Sequence, residues 1–220
     1  MLFFSNLGIP GIIAFIITAT LAFAYHEFAH AIVADRLGDD TPRAYGRITL
    51  NPFVHLDLFG MVMLVLAGFG WATTPVNPNN LRGNPRTSYA LVALAGPVAN
   101  LLMALLFAVP LRLGLAEPGV LGPSLGSFAL PSFGQLCEIG VWINLLLFAF
   151  NLMPIPPLDG FTILMGILPP EMAYRLTPLR QHGTIILLVV IFLLPRIGLD
   201  VLGWFVGPVL TIGVPLLTGS

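Results

Sequence analysis

The chain has 220 residues, of which 57% are hydrophobic and only 9% are charged, and its formal net charge is −1. A soluble globular domain has about a quarter of its residues charged, so this composition indicates an integral membrane protein. The small net charge and the lack of any basic run in the sequence exclude a nucleic-acid-binding protein.

Six largely apolar runs predict the membrane elements in chain order. They cover approximately residues 7–34, 58–73, 88–111, 139–158, 183–195 and 201–217. A helix needs about 20 apolar residues to cross about 30 Å of hydrocarbon, so the second run is too short to span comfortably and predicts a re-entrant or β-like loop. The expected fold is all-α and polytopic, with five to six transmembrane helices. We expect one membrane domain over residues 1–220, with a core at about 10–165 and a C-terminal helical pair at about 180–217.

The arginines predict an orientation in the membrane. Seven of them lie in three loops, whereas the other two loops contain only Arg112 and Arg196. The positive-inside rule therefore places the three arginine-rich loops on the cytoplasmic side. The first run then ends inside the cell, and the run ending near Asp159 returns to the same side. The seven arginines are Arg36, Arg43, Arg47, Arg82, Arg86, Arg175 and Arg180.

The first apolar run contains the stretch AYHEFAHAIV, residues 24–33, with ionisable groups at His26, Glu27 and His30. Burying such groups in a membrane is costly unless they gain a partner. Two histidines four residues apart project from one side of a helix, so their Nε2 atoms can reach one tetrahedral Zn²⁺. Glu27 beside them can serve as general base, as in the H-E-x-x-H zinc enzymes. A polar cluster that only joins helices is the structural alternative.

A hydrolytic zinc site needs a third protein ligand, and the fourth position is left to water. The segment NLMPIPPLDG, residues 151–160, offers Asp159 at the end of an apolar run. Its prolines interrupt the helix and free backbone groups near the metal. Taken alone, Asp159 followed by glycine would indicate a turn at a helix end. The ligand assignment therefore depends on the predicted match in depth with His26 and His30.

Three motifs in this order resemble the site-2 protease family of intramembrane zinc metalloproteases. They are HEFAH in the first run, AGPVAN at residues 95–100 and NLMPIPPLDG at 151–160. The segments NPFVHLDLFG at 51–60 and GFGWATTPVNPNNLR at 68–82 are similar to the short bacterial and archaeal branch without a PDZ domain. The resemblance covers roughly residues 10–165. Thr73 and Thr74 stand where that branch usually has a lysine, so a role for a cation there is not carried over.

The resemblance implies hydrolysis of peptide bonds in or near the transmembrane segments of membrane-protein substrates. It implies one zinc ion per chain, bound by His26, His30 and Asp159, with Glu27 as general base and later proton donor. It also implies an integral, multi-pass location in a prokaryotic cell membrane, with the active site nearer the cytoplasmic face. The expected partners are a transmembrane protein substrate and the lipid bilayer, and the oligomeric state is left open.

Three further residues receive alternative interpretations. Asn151 resembles the asparagine that the family uses to hold the substrate backbone or the oxyanion, and a cap on a broken helix is its alternative. Asn100 either positions groups in the active site or joins helices beside the small Gly96. His55, in the spacing His55-Leu56-Asp57, is a candidate accessory residue near the metal, although most loop histidines have no such role.

A membrane metal transporter and a non-catalytic metal-binding membrane protein are the alternative functions. A transporter is expected to place polar ligands on several spans, whereas residues 183–217 contain only Arg196 and Asp200 as charged groups. The single cysteine, Cys137, is interpreted as a small apolar packing residue.

Overall fold

Helices are the regular secondary structure of the part of the chain that the structure describes, which contains no strands. The computed structural model describes residues 8–55, 73–117 and 130–219. Five helices are long and apolar enough to cross a membrane, which confirms the expected all-α, polytopic fold of an integral membrane protein. They are α1 (Ile9–Arg36), α2 (Pro85–Arg112), α3 (Phe133–Asn151), α5 (Pro170–Ile197) and α6 (Val201–Thr218), and the short helix α4 (Asp159–Ile167) follows α3 in the chain.

The described residues between α1 and α2 include short helical turns. Helical turns occur at Thr41–Ala44 and Pro52–His55, and a 3₁₀ turn occurs at Pro78–Asn80. Residues 73–77 form neither helix nor strand. The predicted re-entrant element at 58–73 lies almost entirely outside the described residues.

Helices α1, α2 and α3 pack against one another through small side chains. Ala14 and Ala22 of α1 are fully buried and belong to a cluster that includes Ile143 of α3. Gly140 of α3 lies flat against the ring of Phe107 on α2, where a Cβ atom would be 2.6 Å from the ring. Lipid is as apolar as the protein core, so close backbone approach through small residues is what holds such helices together.

The end of α3 and the start of α4 place Asp159 in the interior. Helix α3 ends at Asn151 because the following segment contains prolines, which cannot continue a helix. The chain turns and restarts at Asp159 as the first residue of α4. Gly160 lies against the carbonyl of Leu152, leaving no room for a Cβ atom, so the two helix ends are in direct contact.

The last two spans pack on the outside of this three-helix core. Helix α5 is a composite, with α-helical, 3₁₀ and π segments, and it extends the predicted span 183–195 back to Pro170. The apolar-run criterion missed that extension because Arg175, Arg180 and His182 interrupt the hydrophobic pattern. Helix α6 packs through Leu210 and Val214 on the buried cluster shared by α2 and α3, in which Cys137 is also packed, as expected for a small apolar residue.

Candidate metal centre

The two histidines of α1 face the same point in the interior of the helix bundle. His26 and His30 are one helical turn apart and both are buried. Their Nε2 atoms are 3.0 Å apart, and their rings meet edge to face with centroids 4.6 Å apart. This arrangement aims one nitrogen of each ring at a common position.

Asp159 contributes a third ligand atom to that position. Its Oδ2 atom lies 3.1 Å from Nε2 of His26 and 3.3 Å from Nε2 of His30. Oδ2 is buried and makes no hydrogen bond of normal geometry to any residue that the structure describes. Ligand atoms held tetrahedrally at about 2.0–2.1 Å from Zn²⁺ are about 3.3 Å from one another. The three atoms therefore have the mutual spacing that a zinc ion requires.

Hydrogen bonds from the opposite side of each ring fix which nitrogen carries the proton. Nδ1 of His26 is 2.7 Å from Oδ1 of Asn100, and Nδ1 of His30 is 2.7 Å from the carbonyl oxygen of Val92. Both partners accept, so each Nδ1 donates, and in the neutral imidazole each Nε2 then has a free lone pair. Two lone pairs and a carboxylate oxygen facing one another within 3.3 Å repel unless a cation lies between them. The donor set fits Zn²⁺ and the second hydrogen-bond shell of a histidine ligand.

One face of α2 organises the histidine pair. Val92, Gly96 and Asn100 follow one another at intervals of four residues, so they lie along a single stripe of the helix. The carbonyl of Val92 accepts from Nδ1 of His30, and the side chain of Asn100 accepts from Nδ1 of His26. Gly96, between them, lies flat against both rings. A Cβ atom at Gly96 would be 2.5 Å from Nε2 of His30 and 2.6 Å from Cε1 of His26. The glycine of AGPVAN is therefore required for the close approach of α2 to both rings.

Glu27 is part of the same buried cluster. A carboxylate oxygen of Glu27 and one nitrogen each of His26 and His30 lie within 4.8 Å of one another. The backbone carbonyl of Glu27 accepts a hydrogen bond of 3.1 Å from the hydroxyl of Thr74. The segment 73–77 thus runs directly beside the residue predicted to be the general base.

The position of Asp159 is fixed from both ends of α4. At its start, Gly160 is in contact with the carbonyl of Leu152 at the end of α3. At its end, one guanidinium nitrogen of Arg86 donates to the carbonyl oxygens of Met165 and Leu168, each at 2.6 Å. A cation is the favourable partner for the free carbonyls at a helix C-terminus. Arg86 therefore fastens α4 to the start of α2.

Asp39 anchors the loop that passes Glu27. Its side chain is fully buried and accepts from the backbone N–H of Asn77 at 2.7 Å, from the amide of Asn80 at 3.1 Å, and from the hydroxyl of Thr41 at 2.5 Å. Burial acts to raise the pKa of Asp39, but these hydrogen bonds outweigh it and hold the pKa below its ordinary value. The carboxylate joins the end of α1 to the segment after residue 73.

Among the remaining predicted site residues, Asn151 and His55 make hydrogen bonds that do not involve the three candidate ligand atoms. Asn100 accepts from Nδ1 of His26, on the side of the ring turned away from Nε2, and its amide nitrogen donates to Ala22 and Asn144 on the neighbouring helices. The amide of Asn151 donates to the carbonyl of Leu147 on its own helix at 3.1 Å. His55 is buried, and its Nε2 donates to the carbonyl of Thr49 at 2.7 Å. His55 is not among the described side chains of the His26, Glu27 and His30 cluster.

Sequence reasoning missed Val92, and it missed Asn144, whose side-chain oxygen accepts a hydrogen bond of 3.0 Å from the amide of Asn100. Val92 acts through its backbone carbonyl, so no side-chain pattern could have identified it. Asn144 left a signal, because it is an uncharged polar residue in the middle of an apolar span, where a polar group needs a partner.

Comparison with known proteins connects this geometry to a family. The profile described as Peptidase family M50 matches residues 119–195, which include Asp159. YwhC of Bacillus subtilis (strain 168), a zinc metalloprotease by name, is 41% identical over 179 residues, covering 79% of this chain and 78% of its own. The chain belongs to peptidase family M50.

Other relatives extend across bacteria and archaea. Rip2 of Mycobacterium tuberculosis (strain ATCC 25618 / H37Rv), also a zinc metalloprotease by name, is 34% identical over 211 residues, covering 92% of this chain and 74% of its own. MJ0611 of Methanocaldococcus jannaschii is 27% identical over 162 residues, covering 73% and 74%. No solved structure matches the chain. Family M50 is the site-2 protease family. This M50 protein is therefore a zinc metalloprotease with Zn²⁺ as its cofactor.

Proposed function

We propose that this M50 protein is an intramembrane protease that hydrolyses peptide bonds in or near the transmembrane segments of membrane-protein substrates. The observation that carries the proposal is the position of Asp159 Oδ2, which is 3.1 Å from Nε2 of His26 and 3.3 Å from Nε2 of His30. These three residues belong to elements of a membrane helix bundle, which supports a substrate that is itself in the membrane. Family membership supports the protease chemistry.

The site residues divide into metal ligands and a base. His26, His30 and Asp159 hold one zinc ion through Nε2, Nε2 and Oδ2. When bound, zinc acts as a Lewis acid that acidifies water and polarises the scissile carbonyl. Glu27 accepts the proton of the attacking water at its carboxylate and returns it to the leaving nitrogen. Asn100 holds the ring of His26 in the ligand tautomer, in keeping with its observed hydrogen bond.

The active site lies nearer the cytoplasmic face. His30 precedes Arg36, the last residue of α1, by six residues, which corresponds to about 9 Å along the helix axis. Arg36 belongs to the arginine-rich set that the positive-inside rule places in the cytoplasm. Helix α1 enters the cytoplasm at this end, and α2 starts near it at Pro85, with Arg86 in its first turn. We infer one membrane domain, with the catalytic core in α1 to α4 and with α5 and α6 as a peripheral pair.

The segment 73–77 is the part of the chain best located to hold substrate beside the base. It passes the backbone of Glu27 through the Thr74 hydroxyl, and it contains neither helix nor strand. Pro75 has no N–H and the N–H of Asn77 donates to Asp39, so the backbone groups of this segment that can pair with an extended peptide are its carbonyls and the N–H groups of residues 73, 74 and 76. An extended substrate is also what hydrolysis needs, because the carbonyl of a helical peptide bond is shielded by its neighbours. Proline substitutions at the cleavage region of the substrate are expected to change turnover.

The test uses the purified chain in proteoliposomes with a substrate that has one transmembrane helix. Replacing Glu27 by glutamine keeps the shape of the side chain and removes its basicity. We expect Glu27→Gln to retain one zinc per chain by elemental analysis and to lose cleavage by at least about 10²-fold, the usual size of a general-base contribution. Asp159→Ala and His26→Ala are expected to lose both zinc and cleavage.

Glu171→Gln is the matched control, because Glu171 is an exposed carboxylate on α5. It should keep wild-type zinc content and turnover. A soluble unfolded protein added to the same vesicles should be cleaved far more slowly than the membrane substrate. Wild-type turnover of Glu27→Gln would remove the assigned base, and equal cleavage of the soluble protein would contradict the intramembrane assignment.

A further inference from the structure

Asn144 is a fully buried polar residue in the middle of the membrane helix α3. An amide in such a place is costly unless both its oxygen and its nitrogen are hydrogen-bonded. The amide nitrogen of Asn144 donates to the carbonyl of Gly140 at 2.8 Å, and its oxygen accepts from the amide nitrogen of Asn100 at 3.0 Å. None of these atoms belongs to the metal ligands, so Asn144 has no part in the chemistry described above.

The hydrogen bonds form a chain that ends at a metal ligand. Asn100 uses one amide hydrogen for Asn144 and the other for the carbonyl of Ala22, at 3.2 Å. Its oxygen is thereby left to face Nδ1 of His26, at 2.7 Å. The chain runs from Gly140 through Asn144 and Asn100 to the imidazole of His26, and it joins α3, α2 and α1.

The orientation of each amide in this chain is fixed by the one before it. The carbonyl of Gly140 can only accept, so the nitrogen of Asn144 must face it and the oxygen of Asn144 must face Asn100. Asn100 is then surrounded by two acceptors, so both of its hydrogens are committed and its oxygen must face His26. Turning either amide over would place two acceptors against each other in a buried site. The proton of His26 is therefore held on Nδ1, and Nε2 is free for the metal.

We propose that Asn144 is a positioning residue for the zinc site, which fixes the orientation of Asn100 and through it the tautomer and ring angle of His26. The inference rests on the proposed role of His26 as a zinc ligand. It predicts that zinc affinity depends on a residue two hydrogen bonds away from the metal. Loss of a direct outer partner of a metal-bound histidine typically weakens metal binding by about 10- to 100-fold. We expect about tenfold for Asn144, because its effect is transmitted through Asn100.

The test measures zinc affinity of the full chain in detergent by competition with a chromophoric chelator. Asn144→Ser is the main variant, since a serine hydroxyl can still donate to the Gly140 carbonyl but is too short to reach Asn100. Asn144→Asp is the rescue variant, because a buried neutral carboxylic acid keeps an oxygen toward Asn100 and a donor toward Gly140. We expect about tenfold weaker binding for the serine variant and near wild-type binding for the aspartate variant. The d–d spectrum of the cobalt-substituted protein should change in the serine variant alone.

A double-mutant cycle separates this role from simple packing. If Asn144 acts through Asn100, the variant Asn100→Leu with Asn144→Ser should bind zinc as Asn100→Leu does, within about twofold. Val141→Ala is the matched control, since Val141 is fully buried on the same helix and its side chain belongs to an apolar cluster with Ala104 and Leu145. It should keep wild-type zinc affinity whatever its effect on thermal stability.

Each outcome has one meaning. Wild-type zinc affinity in Asn144→Ser, or additive losses in the double variant, would overturn the positioning role. Equal losses in Val141→Ala would overturn it as well, because the effect would then come from packing. The proposed function has its own test. It would fail if the variants His26→Ala and Asp159→Ala still bound zinc like the wild type.

Discussion

Replacing Gly96 by alanine is the most direct test of how α2 builds the site. The added Cβ would be 2.5 Å from Nε2 of His30 and 2.6 Å from Cε1 of His26, whereas carbon atoms in contact are about 3.5–4.0 Å apart. One of the two elements must therefore move by about 1 Å. The rings cannot turn away freely, because their Nδ1 atoms are bonded to Val92 and Asn100. Helix α2 cannot retreat either without stretching those same two bonds.

The magnitude follows from the cost of such overpacking. Extra methyl groups in a packed core cost about 1–3 kcal/mol. If the metal site takes up that strain, zinc affinity falls by about 5- to 150-fold, since about 1.4 kcal/mol is a factor of ten. We expect Gly96→Ala to show this loss in the chelator competition assay, with a parallel loss of proteolysis at limiting zinc.

Gly207 provides the matched control for this prediction. It lies inside α6, and apart from its chain neighbours and the local backbone of its own helix, no atom of the described residues lies within 4 Å of where its Cβ would be. Gly207→Ala should leave zinc affinity unchanged and stabilise the helix by about 0.5–1 kcal/mol. Wild-type zinc affinity in Gly96→Ala would refute the argument that α2 holds both rings at contact distance.

Three further predictions concern the supports of the site. Gly160→Ala should displace Asp159 from the ligand position and weaken zinc binding, because its Cβ has no room beside the Leu152 carbonyl; unchanged affinity would count against this placement. Arg86→Met should lower the unfolding temperature by a few degrees through loss of the cap on α4, measured by thermal shift. Asp39 has a lowered pKa, so its stabilising effect is present above about pH 4 and is lost as the pH falls further. Limited proteolysis of the loop should therefore increase on acidification in the wild type, and less so in Asp39→Asn.

The sequence was sufficient to predict the elements that carry a regular signal. Apolar runs of about 20 residues predict spans with little ambiguity, so α1, α2 and α6 were expected close to their observed bounds. The run 139–158 also predicted a span, but α3 begins and ends several residues earlier, at Phe133 and Asn151. The pairing of His26 with His30 follows from helical periodicity alone. Asp159 was expected near them only because its loop carries the same predicted orientation as the end of α1. Each of these predictions needed a single feature of the sequence: the length of an apolar run, the helical period, or the placement of the arginines.

The parts that could not be predicted depend on contacts between elements. The carbonyl that fixes His30 belongs to Val92, and any residue but proline would offer a similar acceptor at that position. The charged residues of α5 obscured its first turns, since a criterion based on uninterrupted apolar runs ends at Arg180. The environments of Asn151 and His55 likewise depend on how the chain turns after α3 and after α1, and neither turn is specified by spacing in the sequence.

A membrane location explains why the support of this site is so polar. In a soluble zinc enzyme, water can satisfy the second nitrogen of a histidine ligand, whereas a buried membrane site has little water to offer. Every ligand nitrogen that is turned away from the metal must then find an acceptor within the protein. His30 finds a backbone carbonyl, but His26 uses the side chain of Asn100, whose own hydrogens must in turn be satisfied. Asn144 meets that second requirement, so the buried asparagines of α2 and α3 follow from a single histidine on α1.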